Sequence, residues 1–166
     1  VLEKEPDRED LKKRLAAIEQ RIEKVGLEHY RLCVDNYPTD LKLKFEYGNR
    51  LLAAGRYDEA IPLFQDAQRD PRYKIAAPGK VGLCFYHKGW YDDAVEVFQR
   101  ALESTEYQEG SAGKDLRYNL ARSHEHMGQG DKALEMYRKL AHEDFGYRDI
   151  RERIDRLRGA AQAKNE

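Results

Sequence analysis

Apolar residues return along this chain in a helical rhythm, and the rhythm changes once. Leu11, Leu15, Ile18, Ile22 and Val25 step four, three, four, three, with charged and small residues between them. That spacing keeps one face of a helix apolar and predicts one long helix over 7–36, because no turn residue intervenes before Gly26. From Thr39 onward the apolar positions fall into short helical pairs separated by glycine. Three pairs share one frame. The first holds Gly48, Leu51, Gly55, Tyr57, Ala60, Phe64 and Ala67. The second holds Gly82, Phe85, Gly89, Tyr91, Ala94, Phe98 and Ala101, and the third Ala121, His124, Gly128, Ala133 and Tyr137. Ala60 and Ala94 are 34 residues apart and Ala94 and Ala133 are 39 apart, so the third unit follows a five-residue insertion. A period of this size, two helices to a unit, predicts an all-α solenoid.

Each recurring residue has a physical task. A small residue on the first helix (Gly48, Gly82, Ala121) and an alanine on the second (Ala60, Ala94, Ala133) let the two backbones approach. Phe64, Phe98 and Tyr137 return across that crossing to fill it. Gly55, Gly89 and Gly128 stop the first helix in the left-handed conformation. Asp58, Asp92 and Asp131 then place a carboxylate at the positive start of the second helix. Pro78 is expected at the start of its helix, and Pro62 in opening turns where an amide is dispensable or nearly so. The insertion around 104–113 is small and polar and predicts a loop, or a longer second helix followed by a loop. At the C-terminus Tyr147, Ile150, Ile154 and Leu157 form one apolar stripe, which predicts a capping helix from 147 and a frayed tail from Gly159.

The repeated residues resemble the tetratricopeptide repeat family, whose pattern runs Leu-Gly, an aromatic, Gly-x-Tyr-x-x-Ala, an aromatic, then Ala and Pro. The first unit matches through Pro71, one place early; the second lacks that proline. The third is weaker, with His124, Gly130 and Leu140 at three of the pattern's places. The resemblance covers 41–146. It implies a right-handed α-solenoid of three helix-turn-helix repeats (41–73, 75–107, 114–146) within 39–146, flanked by a long N-terminal helix over 1–38 and a cap over 147–166. The later part of that first helix also fits the frame, as a degenerate unit fused into one helix. Two readings of 7–36 stand open: a helix lying on the first repeat, or a coiled-coil-like device for a homo-oligomer.

Charge narrows the class of partner. Lys and Arg total 30 against 31 Asp and Glu, a formal net charge of −1, so no bulk attraction to nucleic acid follows. No 18-residue apolar run is present, so no membrane span is expected within this chain. Cys33 and Cys84 lie in apolar helical patterns and read as small buried thiols. The chain opens with Val1 in a charged helical pattern and is expected to be a piece of a longer protein, which leaves room for a targeting or membrane segment upstream. A cytoplasmic location is the expectation.

Candidate chemistry is sparse. His124-Glu125-His126 invites a metal reading, but residues two apart on a helix point in different directions, so no metal is expected there. The run 110–115 lacks the earlier glycine, the Ser/Thr and the preceding strand of a phosphate loop. No nucleophile elbow or Cys-x-x-Cys occurs, and neither an enzyme nor a cofactor is expected. The resemblance places the first helix of each unit on a concave groove. Its candidate peptide-binding residues are Phe45, Asn49, Leu52, Lys80, Leu83, Tyr86, His87, Tyr118, Asn119 and Arg122, an exposed mix of rings, amides and cations. Some members of the family clamp a C-terminal carboxylate with Lys and Asn residues at fixed groove places. Of those places only Asn49 matches, while Phe45, Lys80 and Asp115 depart, so that ligand is not expected. The expected function is a non-catalytic scaffold that holds a protein or peptide. The alternatives are a homo-oligomerisation module built from the N-terminal helix and the groove, and a regulatory domain of a larger enzyme.

Overall fold

A computed structural model of the chain describes residues 8–103 and 110–163. Among these residues there are eight helices and no strand: α1 (Arg8–Asn36), α2 (Leu41–Ala53), α3 (Tyr57–Ala67), α4 (Ala76–His87), α5 (Tyr91–Glu103), α6 (Ser111–His126), α7 (Gly130–Glu143) and α8 (Ile150–Ala163). Helices α2 with α3, α4 with α5, and α6 with α7 form antiparallel hairpins. Each hairpin packs on the next through α3 with α4 and α5 with α6, and α8 closes the row against α7. Such stacking makes one continuous core from units too small to bury their own apolar faces.

The turn inside each hairpin is set by its glycine. Gly55, Gly89 and Gly128 have φ of 75°, 77° and 74°. This conformation lets the following amide reach back to the last turn: Arg56 N–H donates to the Leu51 carbonyl (2.8 Å), Trp90 to Phe85 (2.9 Å) and Gln129 to His124 (2.9 Å). The crossing of the two helices depends on a missing side chain. A Cβ on Gly48 would stand 2.8 Å from the Phe64 ring and one on Gly82 only 2.4 Å from that of Phe98. Both rings are fully buried, as are Ala60 and Ala94 beneath them. In the third hairpin the small residue is Ala121 and the ring is Tyr137. Tyr137 is also fully buried, and its hydroxyl donates to Glu125 at 3.0 Å.

Several boundaries differ from those expected. Pro78 is the third residue of α4, within its first turn, but Pro62 is the sixth of α3 and lies beyond the amides that a helix start leaves free. It lies on the exposed side of the helix, as does Asp58, whose carbonyl an amide at 62 would ordinarily meet. The end of the insertion is helical, since α6 starts at Ser111 rather than 114; residues 104–109 lie outside the described part. The C-terminal helix begins at Ile150, not Tyr147, because Arg148 takes a positive φ of 48° and breaks the approach. It continues through Gly159 to Ala163, and residues 164–166 lie outside the described part. The apolar stripe holds: Ile150 and Ile154 are buried, and Tyr147 and Leu157 pack half-buried on the same cluster.

Helix α1 does two things along its length. Leu27, Tyr30 and Val34 in its later half pack on the core of the first hairpin. The earlier half has no buried residue, and Leu11, Leu15, Ile18, Ile22 and Val25 all face out. Cys33 and Cys84 are both free thiols; Cys84 is fully buried, and burial pushes its thiol up to about 11.

Candidate functional site

Because α2, α4 and α6 touch one another in sequence along the row, the first helices of the three hairpins form one face. On α2, Phe45 is half-buried and stacks flat on Tyr73 at 4.3 Å, with its edge toward Phe64. Leu52 is half-buried on the same core cluster, and Asn49 is half-buried one turn from each. On α4, Lys80 and Leu83 are half-buried, and Leu83 packs on the second cluster. His87 is exposed and stacks on Tyr57 at 5.6 Å. Burial first, and then the nearby Arg122 charge, hold the His87 imidazole below its ordinary value.

The end of α4 and the third unit are arranged differently. Tyr86, Tyr118 and Asn119, expected to be exposed, are buried, and the reasons can be named. Tyr86 is enclosed by Tyr91, His126 and the guanidinium of Arg122, which lies 4.3 Å from its ring centre. Tyr118 lies under the C-terminal segment: its hydroxyl donates to Asp149, the Tyr147 ring meets it edge-on, and Arg148 sits 4.9 Å over its face. The Asn119 amide is spent locally, donating to the Asp115 carbonyl at 2.9 Å and accepting from Arg122 at 3.4 Å. Asp115 itself accepts from Tyr147 and Arg148.

Glu125, one turn beyond Arg122, completes this closure. It accepts from Arg153 at 2.8 Å, from Tyr137 at 3.0 Å and from Arg156. Burial alone would raise its carboxyl, but these three donors outweigh burial and hold it below the ordinary carboxylate range. The face therefore stays open along α2 and α4 and is occupied over α6 by the segment from Tyr147 to Arg156. Arg122 stands at the border, its guanidinium between the rings of Tyr86 and Tyr118, with a buried Nε that has no partner among the described residues.

Two features were not anticipated. One is a repeated ring stack between units: Tyr57 with His87, and Tyr91 with His126 at 4.8 Å, both nearly parallel. The sequence does carry its signal, because the separations are 30 and 35 residues and differ by the five inserted before the third unit. The other is the clasp of Tyr147, Arg148 and Asp149 on α6, which joins residues about thirty apart and leaves no periodic trace. Among the described residues no group of three or more His, Cys, Asp or Glu could hold a metal ion. His124 is instead buried, its Nδ1 2.8 Å from the Gln129 side chain. No helix among the described residues is long and apolar enough to cross a membrane.

Comparison with known proteins agrees with this architecture. A family model described as tetratricopeptide repeat matches residues 45–109 and again 91–148. None of the curated proteins matches the chain in sequence. Among solved structures, MamA aligns over 97% of this chain and 88% of its own, with a TM-score of 0.70 and 18% identity. A thermophilic repeat protein of Thermus thermophilus aligns over 84% and 75%, with a TM-score of 0.65 and 22% identity. YrrB, described as having an unusual peptide-binding site, aligns over 90% and 74%, with a TM-score of 0.62 and 17% identity. At these identities the likeness is one of fold.

Proposed function

Because this chain belongs to the tetratricopeptide repeat family, we propose that it is a non-catalytic scaffold domain that holds an extended peptide or a helix of a protein partner on the open face of α2 and α4. Members of the family are typically interaction scaffolds. The observation that carries the reading is the row of half-buried Leu52 and Leu83, flanked by Asn49, Lys80 and exposed His87, on helices that touch side by side. Apolar area of this kind gains from being covered, while the amide and cation supply direction to a peptide backbone. The presence of a peptide-binding site in YrrB, a protein of the same fold, is consistent with it. Tyr118 drops out of the proposed contact set because the turn before α8 already covers it, and Asn119 because its amide is satisfied within α6.

Selection from a displayed peptide library on the immobilised chain tests this. Enriched peptides are expected to bind at least about tenfold more weakly to Leu52→Lys and Leu83→Lys, a loss of about 1.4 kcal/mol. They should bind Lys139→Ala unchanged, since Lys139 is exposed on α7 and pairs only with Glu135 among the described residues. No enrichment, or peptides indifferent to both leucines, would remove the groove as the binding face.

A further inference from the structure

We infer that the chain pairs with a second copy of itself through an antiparallel coiled coil of α1, in a register set by charge. The exposed seam is longer than the five residues of its first half. Leu11, Leu15, Ile18, Ile22 and Val25 are 50% to 67% exposed, and Leu32, seven residues beyond Val25, is 48% exposed. With His29 between them the 3–4 spacing runs unbroken through both halves of the helix. Three heptads meet the length at which such a pattern specifies a coiled coil rather than a chance stripe. Docking of Leu27, Tyr30 and Val34 onto the first hairpin leaves this seam exposed, with Ile22, Val25 and His29 bordering Tyr30 and Arg50 of α2 along one groove.

The flanking charges say what covers it. Taking Leu15, Ile22 and His29 as one core position and Leu11, Ile18, Val25 and Leu32 as the other, one flank carries Arg14, Arg21, Glu28 and Asp35 in order. Two basic residues followed by two acidic ones complement the same row read backwards. When Ile22 meets Val25 of the second copy, Arg21 faces Glu28 and Arg14 faces Asp35, four attractive pairs by symmetry. Slipping by one heptad sets like charges together and halves the attractive pairs: one way Arg21 and Glu19 each meet themselves, the other way Glu28 meets itself. A parallel pair leaves only Arg14 facing Glu19 among the described residues and stacks His29 on His29. Arg31 already bridges Glu28 and Asp35 within the helix, at 2.7 and 3.1 Å, but both acids remain more than half exposed and open to a second donor.

Placement of the solenoid agrees with the antiparallel sense. On the other flank Gly26 lies beside Arg50 of α2, and the body attaches only along the later half of α1. Antiparallel pairing therefore lays each projecting half against the partner's anchored half and keeps the two bodies at opposite ends. The seam from Leu11 to Leu32 is about 33 Å long at about 1.5 Å per residue. The groove on α2 and α4 is not involved, so this pairing stands or falls independently of peptide binding.

The test is solution mass by light scattering and sedimentation over a wide concentration range. The chain is expected to reach twice the monomer mass. Ile18→Lys with Ile22→Lys should weaken dimerisation at least about a hundredfold while leaving thermal unfolding of the monomer unchanged, since both residues sit on the projecting half. Arg14→Glu with Arg21→Glu in one chain, and Glu28→Arg with Asp35→Arg in another, should each be monomeric alone and form a dimer when mixed. A wild-type chain that stays monomeric, or a dimer that survives the seam substitutions, overturns the pairing. Mixed chains that fail to combine overturn the antiparallel register.

Discussion

The ring of Phe98 occupies the space that a side chain on Gly82 would need. A methyl group there would sit 2.4 Å from the ring edge, and the ring is fully buried with Ala94 beneath it, so neither neighbour can move aside cheaply. Gly82→Ala is therefore expected to cost about 1–3 kcal/mol, as overpacking does. Gly89→Ala, seven residues on, tests a different mechanism. Nothing lies within 4 Å of a Cβ there, but φ is 77°, and a left-handed alanine costs about 1 kcal/mol. Urea titrations of the two variants should separate them, Gly82→Ala being the less stable. Equal loss would mean that the hairpin crossing is looser than its geometry. Both positions are legible in the sequence, because a glycine recurring in register between a large apolar residue and a later ring marks either a close helix crossing or a helix stop. The stacks of Tyr57 on His87 and Tyr91 on His126 are of the same kind, yet His87 reads equally well as a groove residue until its partner is seen.

At the scale of an element, α8 shows how a helix with few buried residues is held. Ile150 and Ile154 supply its buried core, and a polar clasp supplies the rest. Arg153 reaches both Glu125 and Asp149, and the side chains of Arg153 and Glu125 are only 16% and 14% exposed. Glu125→Gln leaves Arg153 with Asp149 alone and removes the charge that Arg156 and Tyr137 also meet, so it is expected to cost about 2 kcal/mol. Acid should act likewise. The folded carboxyl sits below its ordinary 4.5, so its contribution is complete above that pH and is lost as pH falls below it. Protection factors of amides 150–163, taken against intrinsic exchange at each pH, should fall below that value in the native chain and show a smaller pH response in Glu125→Gln. An identical response would place the titrating group elsewhere. The apolar stripe of this helix is plain in the sequence, but its start is not, because the break at Arg148 serves contacts with Asp115 and Tyr118 that lie about thirty residues away.

For the whole molecule the informative contrast is between two truncations. Among the described residues, a chain beginning at Val25 lacks none that packs on the solenoid core, and at concentrations where it is monomeric its thermal midpoint should match that of the intact chain. A chain beginning at Thr39 also loses Leu27, Tyr30 and Val34, each half-buried on the first hairpin, and should be less stable by about 3 kcal/mol at about 1 kcal/mol apiece. Differential scanning calorimetry distinguishes the cases. If both truncations unfold with the intact chain, α1 has no part in the core.

The helical pairs and their stacking can be read along the chain, though not every helix start. Repeat period, glycine stops, small crossing residues and returning rings all act within one or two helical turns or recur at a fixed interval, so their pattern is written along the chain. The heptad row of α1 was equally plain, and so was the absence of a charge bias toward nucleic acid. Which side of α1 faces solvent, and that the face expected to be open over α6 is covered, depend on how the helices pack. Those outcomes rest on Tyr147, Arg148, Asp149 and Arg153 finding Asp115, Tyr118 and Glu125. These are hydrogen bonds between side chains brought together only when the last helix packs, and no local preference or period encodes them.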